Sequence, residues 1–176
     1  MRGLEARLNI LLDKFIIVEM MPKYALAEEP VANTGMLIRR PIKIVYQAFI
    51  DPKITTKFWF TKSSGKLEEG KQVKWEWEMY NASTNVKVLE LEENKRIVIE
   101  WQSYKGPTRV EWVFTPYGES TFVDITERGY LGSGDEVVKA VVDSTGGFTW
   151  TLAGLKGWLE YGIQLNFVAD RHPGKR

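Results

Sequence analysis

Few residues in this chain are equipped for covalent or metal chemistry. There is one histidine, His172, and no cysteine. His172 lies in the polar tail ADRHPGKR beside Pro173, a setting that reads as solvent-exposed and inert. Thiolate nucleophiles, disulfides and cysteine-ligated zinc are excluded by composition, and a lone tail histidine leaves no histidine-rich metal site or Ser-His-Asp triad. Gly132-Ser133-Gly134 reads as a turn with a helix cap, not as a phosphate cradle. No catalytic residue, metal or cofactor is expected on this reading.

Glu127 is the ionisable residue with the strongest case for a role. In the run STFVDITERGY, Thr121, Val123, Ile125 and Glu127 fall on one face of a strand. If the valine and isoleucine point inward, the carboxyl points inward too, at the mouth of a cavity. Three readings stay open: a partner Arg or Lys at the strand end, a ligand anchor, or an acid–base group.

The other unusual supply is aromatic, with seven Trp, seven Tyr and eight Phe. Trp75, Trp77, Trp101 and Trp112 each recur at the apolar positions of alternating runs, and Trp59 sits in the cluster Phe58-Trp59-Phe60. Facing them is the run GGFTWTLAGLKGWLEYG, residues 146–162, whose Phe148, Leu152, Leu155 and Leu159 follow helical spacing. Its polar residues Thr149, Lys156 and Glu160 fall on one narrow side, which reads as the solvent side. Four tryptophans on one sheet face are hard to pack solid under one helix. A pocket of roughly 300–1,000 Å³ is expected, suited to a flat or greasy ligand, with solid core as the alternative. The candidate lining is thus Trp59, Trp75, Trp77, Trp101, Trp112 and Glu127 on one side and Phe148, Leu152, Leu155 and Leu159 on the other.

The elements that must position these residues follow from pattern. MLIRR, 36–40, reads as a short strand and KYALAEEPVANTG before it as a connector. PIKIVYQAFI reads as a helix with Ile44, Ala48 and Phe49 inward, stopped at Asp51-Pro52. KITTKFWF reads as a second short helix and SSGKLEEGK as loop. QVKWEWEMY, NVKVLELEE, RIVIEWQS, TRVEWVFTP and STFVDITERGY alternate as half-buried strands, with NAST, Glu93-Asn94-Lys95 and Gly118-Glu119 as turns. Links this short predict an antiparallel meander. A last helix starts near Glu136, capped by Ser133 or Asp135, with Val137, Val138, Val141 and Val142 on its apolar side. Gly146-Gly147 are expected to loosen or bend it.

The 176 residues suit one domain, and 44% hydrophobic with 27% charged residues is ordinary for a globular chain. A net charge of +1 argues against a nucleic-acid partner. Charges break every apolar run, so no membrane span is expected. In MRGLEARLNILLDKFIIVEMM, Asp13 and Lys14 interrupt any signal-like core, while Leu4, Leu8, Leu11, Leu12 and Phe15 follow helical spacing. That segment reads as an amphipathic helix packed on the domain or on a second copy. A membrane-surface helix and a poorly ordered extension are the alternatives.

The order strand, two helices, antiparallel strands, long helix resembles the START-like helix-grip superfamily, which includes the birch-pollen allergens. Within it, the chain is most similar to small bacterial relatives of the C-terminal domain of the heat-shock-protein-90 ATPase activator. The resemblance rests on IRRPIKIVYQAFIDP, Trp59-Phe60, RIVIEW, TFVDITERGY and GGFTWTLAGLKGWLEYG, spanning about residues 36–165. It implies an α+β fold, a curved antiparallel sheet of about six strands wrapped on the C-terminal helix. Residues 1–35 would be an N-terminal extension, 36–168 the domain and 169–176 a polar tail. It also implies binding of a small apolar or aromatic molecule, without catalysis, in a cytoplasmic protein. A stress-related role on a heat-shock-protein-90 chaperone, and a cyclase- or hydrolase-like activity on small aromatic or polyketide molecules, are the alternatives. A homodimer is the remaining partner expectation.

Overall fold

A computed structural model describes residues 28–103 and 105–171. The expected N-terminal helix and His172 lie outside the described residues. The chain runs β1 (Ala32–Ile38), α1 (Ile42–Ile50), α2 (Pro52–Thr55), β2 (Lys62–Ser63), β3 (Gln72–Trp77), a 3-10 turn (Glu78–Tyr80) and β4 (Ala82–Glu92). β5 (Arg96–Gln102), β6 (Pro107–Tyr117), β7 (Ser120–Arg128), α3 (Gly134–Tyr161) and α4 (Phe167–Asp170) complete it. One seven-stranded sheet has the order β1-β7-β6-β5-β4-β3-β2, every neighbour antiparallel. The antiparallel neighbours are those the alternating runs predict, and the curved α+β sheet with a long C-terminal helix is what the resemblance implies, with seven strands where about six were expected.

The two edge strands are consecutive in sequence, so α1 and α2 carry the chain from one edge to the other. Pro41 opens α1, and Asp51 closes it because a residue before proline resists the helical region. Asp51 then caps α2 by accepting from the Lys53 N–H at 3.0 Å. Val45, Tyr46, Ala48 and Phe49 form the buried face of α1, while Ile44 is exposed, contrary to the inward position expected for it. β1 starts at Ala32, inside the stretch read as connector, because it pairs residue for residue with β7 from Ala32↔Glu127 to Ile38↔Thr121. Such pairing leaves no trace in a short sequence window. The two-residue strand β2 ends at Ser63, the first residue of the loop SSGKLEEGK, and pairs with Glu76 and Trp75.

The β3–β4 turn lies three residues earlier than NAST, over residues 78–81. Residues 78–80 form the 3-10 turn, and Asn81 takes a left-handed φ of 50°, so β4 starts at once with Trp77 opposite Ala82. Asparagine tolerates that conformation better than most side chains. Met79 therefore leaves the strand alternation.

α3 runs without interruption through Gly146-Gly147, the pair expected to loosen or bend it. It starts with a reciprocal cap: the Glu136 carboxylate accepts from the Ser133 N–H at 2.8 Å and hydroxyl at 2.9 Å. The strip Thr149, Lys156, Glu160 is only in part the solvent side expected of it: Thr149 is exposed, but the Lys156 side chain is half-buried and that of Glu160 nearly buried. It lies along β1, with Thr149 hydrogen-bonded to Thr34, the Lys156 ammonium donating to the Leu37 carbonyl at 2.8 Å, and Glu160 accepting from the Arg39 N–H at 2.8 Å. An edge strand has unpaired backbone groups, and this strip supplies partners for some of them. Val142 is likewise exposed rather than on the apolar side of the helix.

Candidate functional site

The inward faces of β3, β5, β6 and β7 bring the aromatic residues together, and Trp59, delivered by the turn after α2, stands at their centre. Its ring lies 4.9 Å from Trp75, 6.2 Å from Trp101, 6.0 Å from Trp112 and 6.2 Å from Phe148, centroid to centroid. Trp101 stacks on Phe148 at 5.9 Å and 19°, and Phe60 stacks on Trp75 at 4.7 Å. Tilted and edge-on ring pairs of this kind add roughly 0.5–1.5 kcal/mol each beyond area burial.

The cluster divides in two. Trp75, Trp112, Leu152 and Leu155 are sealed in the core, and Leu159 packs against it from the edge. Trp59, Trp77, Trp101 and Phe148 instead line a cleft of about 350 Å³ between the sheet and α3. Its remaining apolar wall comes from Trp150 and from Val168 of α4, held together by the contact of Trp150 with Phe167 at 5.3 Å. Tyr80, Asp143, Ser144 and Arg171 form its polar end.

Glu127 is fully buried, and it is not in the cleft lining. Among the described residues it meets no Arg or Lys, the partner considered for it from sequence. One carboxylate oxygen accepts from the Trp101 indole N–H at 2.9 Å and the Thr108 hydroxyl at 2.5 Å, and the other from the Tyr130 hydroxyl at 2.7 Å. The Trp101 N–H is shared with Thr108 Oγ1 at 3.0 Å. Burial, with the Glu127 charge adding to it, pushes the Tyr130 phenol far above its ordinary range, the Ser144 hydroxyl offsetting part of this. Tyr130 therefore stays a donor. Glu127 thus holds the back of the Trp101 ring whose face lines the cleft. Among the other buried indoles, Trp112 Nε1 has no hydrogen-bond partner among the described residues.

Sequence reading missed Tyr80, Ser144, Trp150 and Arg171. Ser144 was findable, since it precedes Phe148 by four residues on the same helix face. Trp150 lies off that face and joins the cleft only because α4 folds back onto it. Arg171 fell in the segment read as a polar tail, yet its Nη2 donates to Asp143 Oδ1 at 2.6 Å. No group of three or more His, Cys, Asp or Glu side chains among the described residues is placed to hold a metal ion. No helix among them is long and apolar enough to cross a membrane.

Residues 39–160 match the family described as Activator of Hsp90 ATPase homolog 1-like protein. No curated protein matches the chain. Among solved structures, protein SSP2350 from Staphylococcus saprophyticus is 28% identical with a TM-score of 0.67, over 77% of this chain and 96% of its own. The Aha1 dimer from Colwellia psychrerythraea is 20% identical with a TM-score of 0.65, over 76% and 98%. DynU16, a protein of the dynemicin biosynthetic locus, is 17% identical with a TM-score of 0.68, over 78% of this chain and 49% of its own. The last two likenesses show the fold alone.

Proposed function

The chain belongs to the Activator of Hsp90 ATPase homolog 1-like family, and from that premise we propose that it binds a small apolar or aromatic molecule, without catalysis, in the cleft between sheet and α3. The observation that carries this reading is the cleft itself. It has about 350 Å³ of space with walls from Trp59, Trp77, Trp101, Phe148 and Trp150. That volume is at the lower end of ligand sites, and ring faces suit flat ligands. Among the described residues the one fully buried carboxylate near it, Glu127, is engaged by three donors, the Trp101 N–H among them, so it supports a wall rather than a reaction.

The test is titration of intrinsic tryptophan fluorescence with flavone and with a neutral anthraquinone of polyketide type. Saturable quenching that weakens about tenfold in Trp77→Leu, where the wall loses one ring of roughly 1 kcal/mol or more, supports the reading. A monodisperse sample whose fluorescence and melting temperature ignore both compounds removes it.

The family description favours a second reading, action on an Hsp90-type chaperone. A pull-down followed by an ATPase assay decides it, and neither binding nor stimulation would end it. The Colwellia relative is described as a dimer, so a second copy of this chain is a further partner to test by light scattering.

A further inference from the structure

The two charged residues in the lining of the cleft are Asp143 and Arg171, and they are unequal. Arg171 is the held member, with its side chain 28% exposed against 72% for Asp143. Its guanidinium lies over Gly146 and Gly147, where a Cβ would be in ordinary van der Waals contact, 3.5 Å from Nη2 and 3.6 Å from Nη1. The contact to Asp143 is made through Nη2, and no second carboxylate meets the fork among the described residues. An arginine fork has five donors, so most of its capacity is left for something else.

Tyr80 lines the same end of the cleft, and the Arg171 charge acts on its hydroxyl against the burial that raises its pKa. Beyond it the walls are tryptophan and phenylalanine. The cleft therefore has an apolar body and a single cationic end, and that cation is covered by an exposed carboxylate. Exposed ion pairs are worth little, so a ligand anion can take the place of Asp143 at small cost. A ligand cation would have to displace the better-seated Arg171 instead.

We propose that the cleft selects amphipathic monoanions, a flat apolar body with one carboxylate, and that Arg171 receives the carboxylate in exchange for Asp143. This rests on the binding reading above and names its ligand class. The pairing is of the charge-assisted kind, and Arg is suited to it by its planar fork.

Isothermal titration calorimetry of the full chain with 2-naphthoate, its neutral methyl ester and 2-naphthylmethylamine tests it. The carboxylate is expected to bind about tenfold tighter than the ester, the size of one charge-assisted hydrogen bond. Arg171→Gln should erase that preference while leaving ester affinity in place. Asp143→Asn, which removes the competing carboxylate, should tighten 2-naphthoate binding. Equal binding of acid and ester, or tighter binding of the amine, overturns the anion assignment while the cleft remains a binding site. A preference that survives Arg171→Gln overturns the role of Arg171. Failure of all three probes to bind removes the binding reading, and this inference with it.

Discussion

The two halves of α3 are made from one continuous helix and do different work. From Phe148 onward the helix is clamped: Phe148, Thr151, Leu152, Gly154, Leu155 and Gly157 are buried, and Lys156 and Glu160 tie it to β1. From Gly134 to Gly147 the one buried residue is Val137. The first half is mostly half-buried or exposed, and the cleft opens beside the junction of the two. Stability is therefore concentrated in the C-terminal half, and space in the N-terminal half. The difference comes from what faces the helix. Phe58 backs the clamped half so closely that its carbonyl oxygen would lie 2.9 Å from a Cβ at Gly154. At Gly146 and Gly147 the neighbour is the flexible end of Arg171.

The largest expected contrast is between Leu152→Ala and Val142→Ala. Leu152 is fully buried, so its truncation should lower stability by about 3 kcal/mol. Val142 is exposed, and its truncation should move stability by less than about 0.5 kcal/mol. Urea midpoints measure both, and equal losses would break the comparison.

A sharper contrast uses glycines. Gly154→Ala forces a methyl against the Phe58 backbone and should cost about 2 kcal/mol. Gly147→Ala meets only a guanidinium that can move, so the gain in helix propensity should leave the protein unchanged or stabilised by up to about 1 kcal/mol. The same substitution with opposite signs, read from melting curves, would fix the boundary between the halves to within a few turns.

Lys156→Met tests the seam. It removes the donor to the Leu37 carbonyl and leaves Glu160, whose side chain is 5% exposed, with less compensation. Burial pushes the Glu160 carboxyl up, but the Arg39 N–H and the Lys156 ammonium outweigh it and hold it below its usual range. A loss of about 1.5 kcal/mol is expected, given that the lysine is partly solvated.

The smallest effect belongs to the N-terminal cap. Lys105 first, then the Ser133 N–H and hydroxyl, hold the Glu136 carboxyl down at about 2, against an ordinary value of 4.5. A depressed carboxyl stabilises the fold fully above its ordinary value and loses that contribution as pH falls toward 2. The stability difference between the protein and Glu136→Gln should therefore be present near neutrality and vanish between pH 4.5 and 2. Protection against amide exchange in the first turns of α3, relative to the intrinsic rate at each pH, should fall over the same window. Exchange in the half after Phe148 should not follow it, because that half is held by core packing.

The strand faces were legible because period-two alternation is local. Trp75, Val110, Trp112, Val123 and Ile125 are inward as expected, and so is Glu127. The partners of Glu127 were not legible, since Trp101, Thr108 and Tyr130 reach it only when β5, β6 and the end of β7 stand side by side. The polar strip of α3 misled for a similar reason. Spacing shows that Thr149, Lys156 and Glu160 share a side, but not that an edge strand with unpaired backbone groups would occupy it.

By itself the amino-acid sequence determined the main elements and their order, β2 and α4 apart, the aromatic supply facing the last helix and the poverty of catalytic groups. These follow from composition and short-range periodicity, which need no partner to be defined. The tertiary structure decided which tryptophans are sealed and which line open space. It also decided that Glu127 serves Trp101, and that Arg171 returns to the mouth of the cleft. Those outcomes depend on contacts between residues far apart in the chain, and packing at that range is set by shape and register rather than by any local pattern.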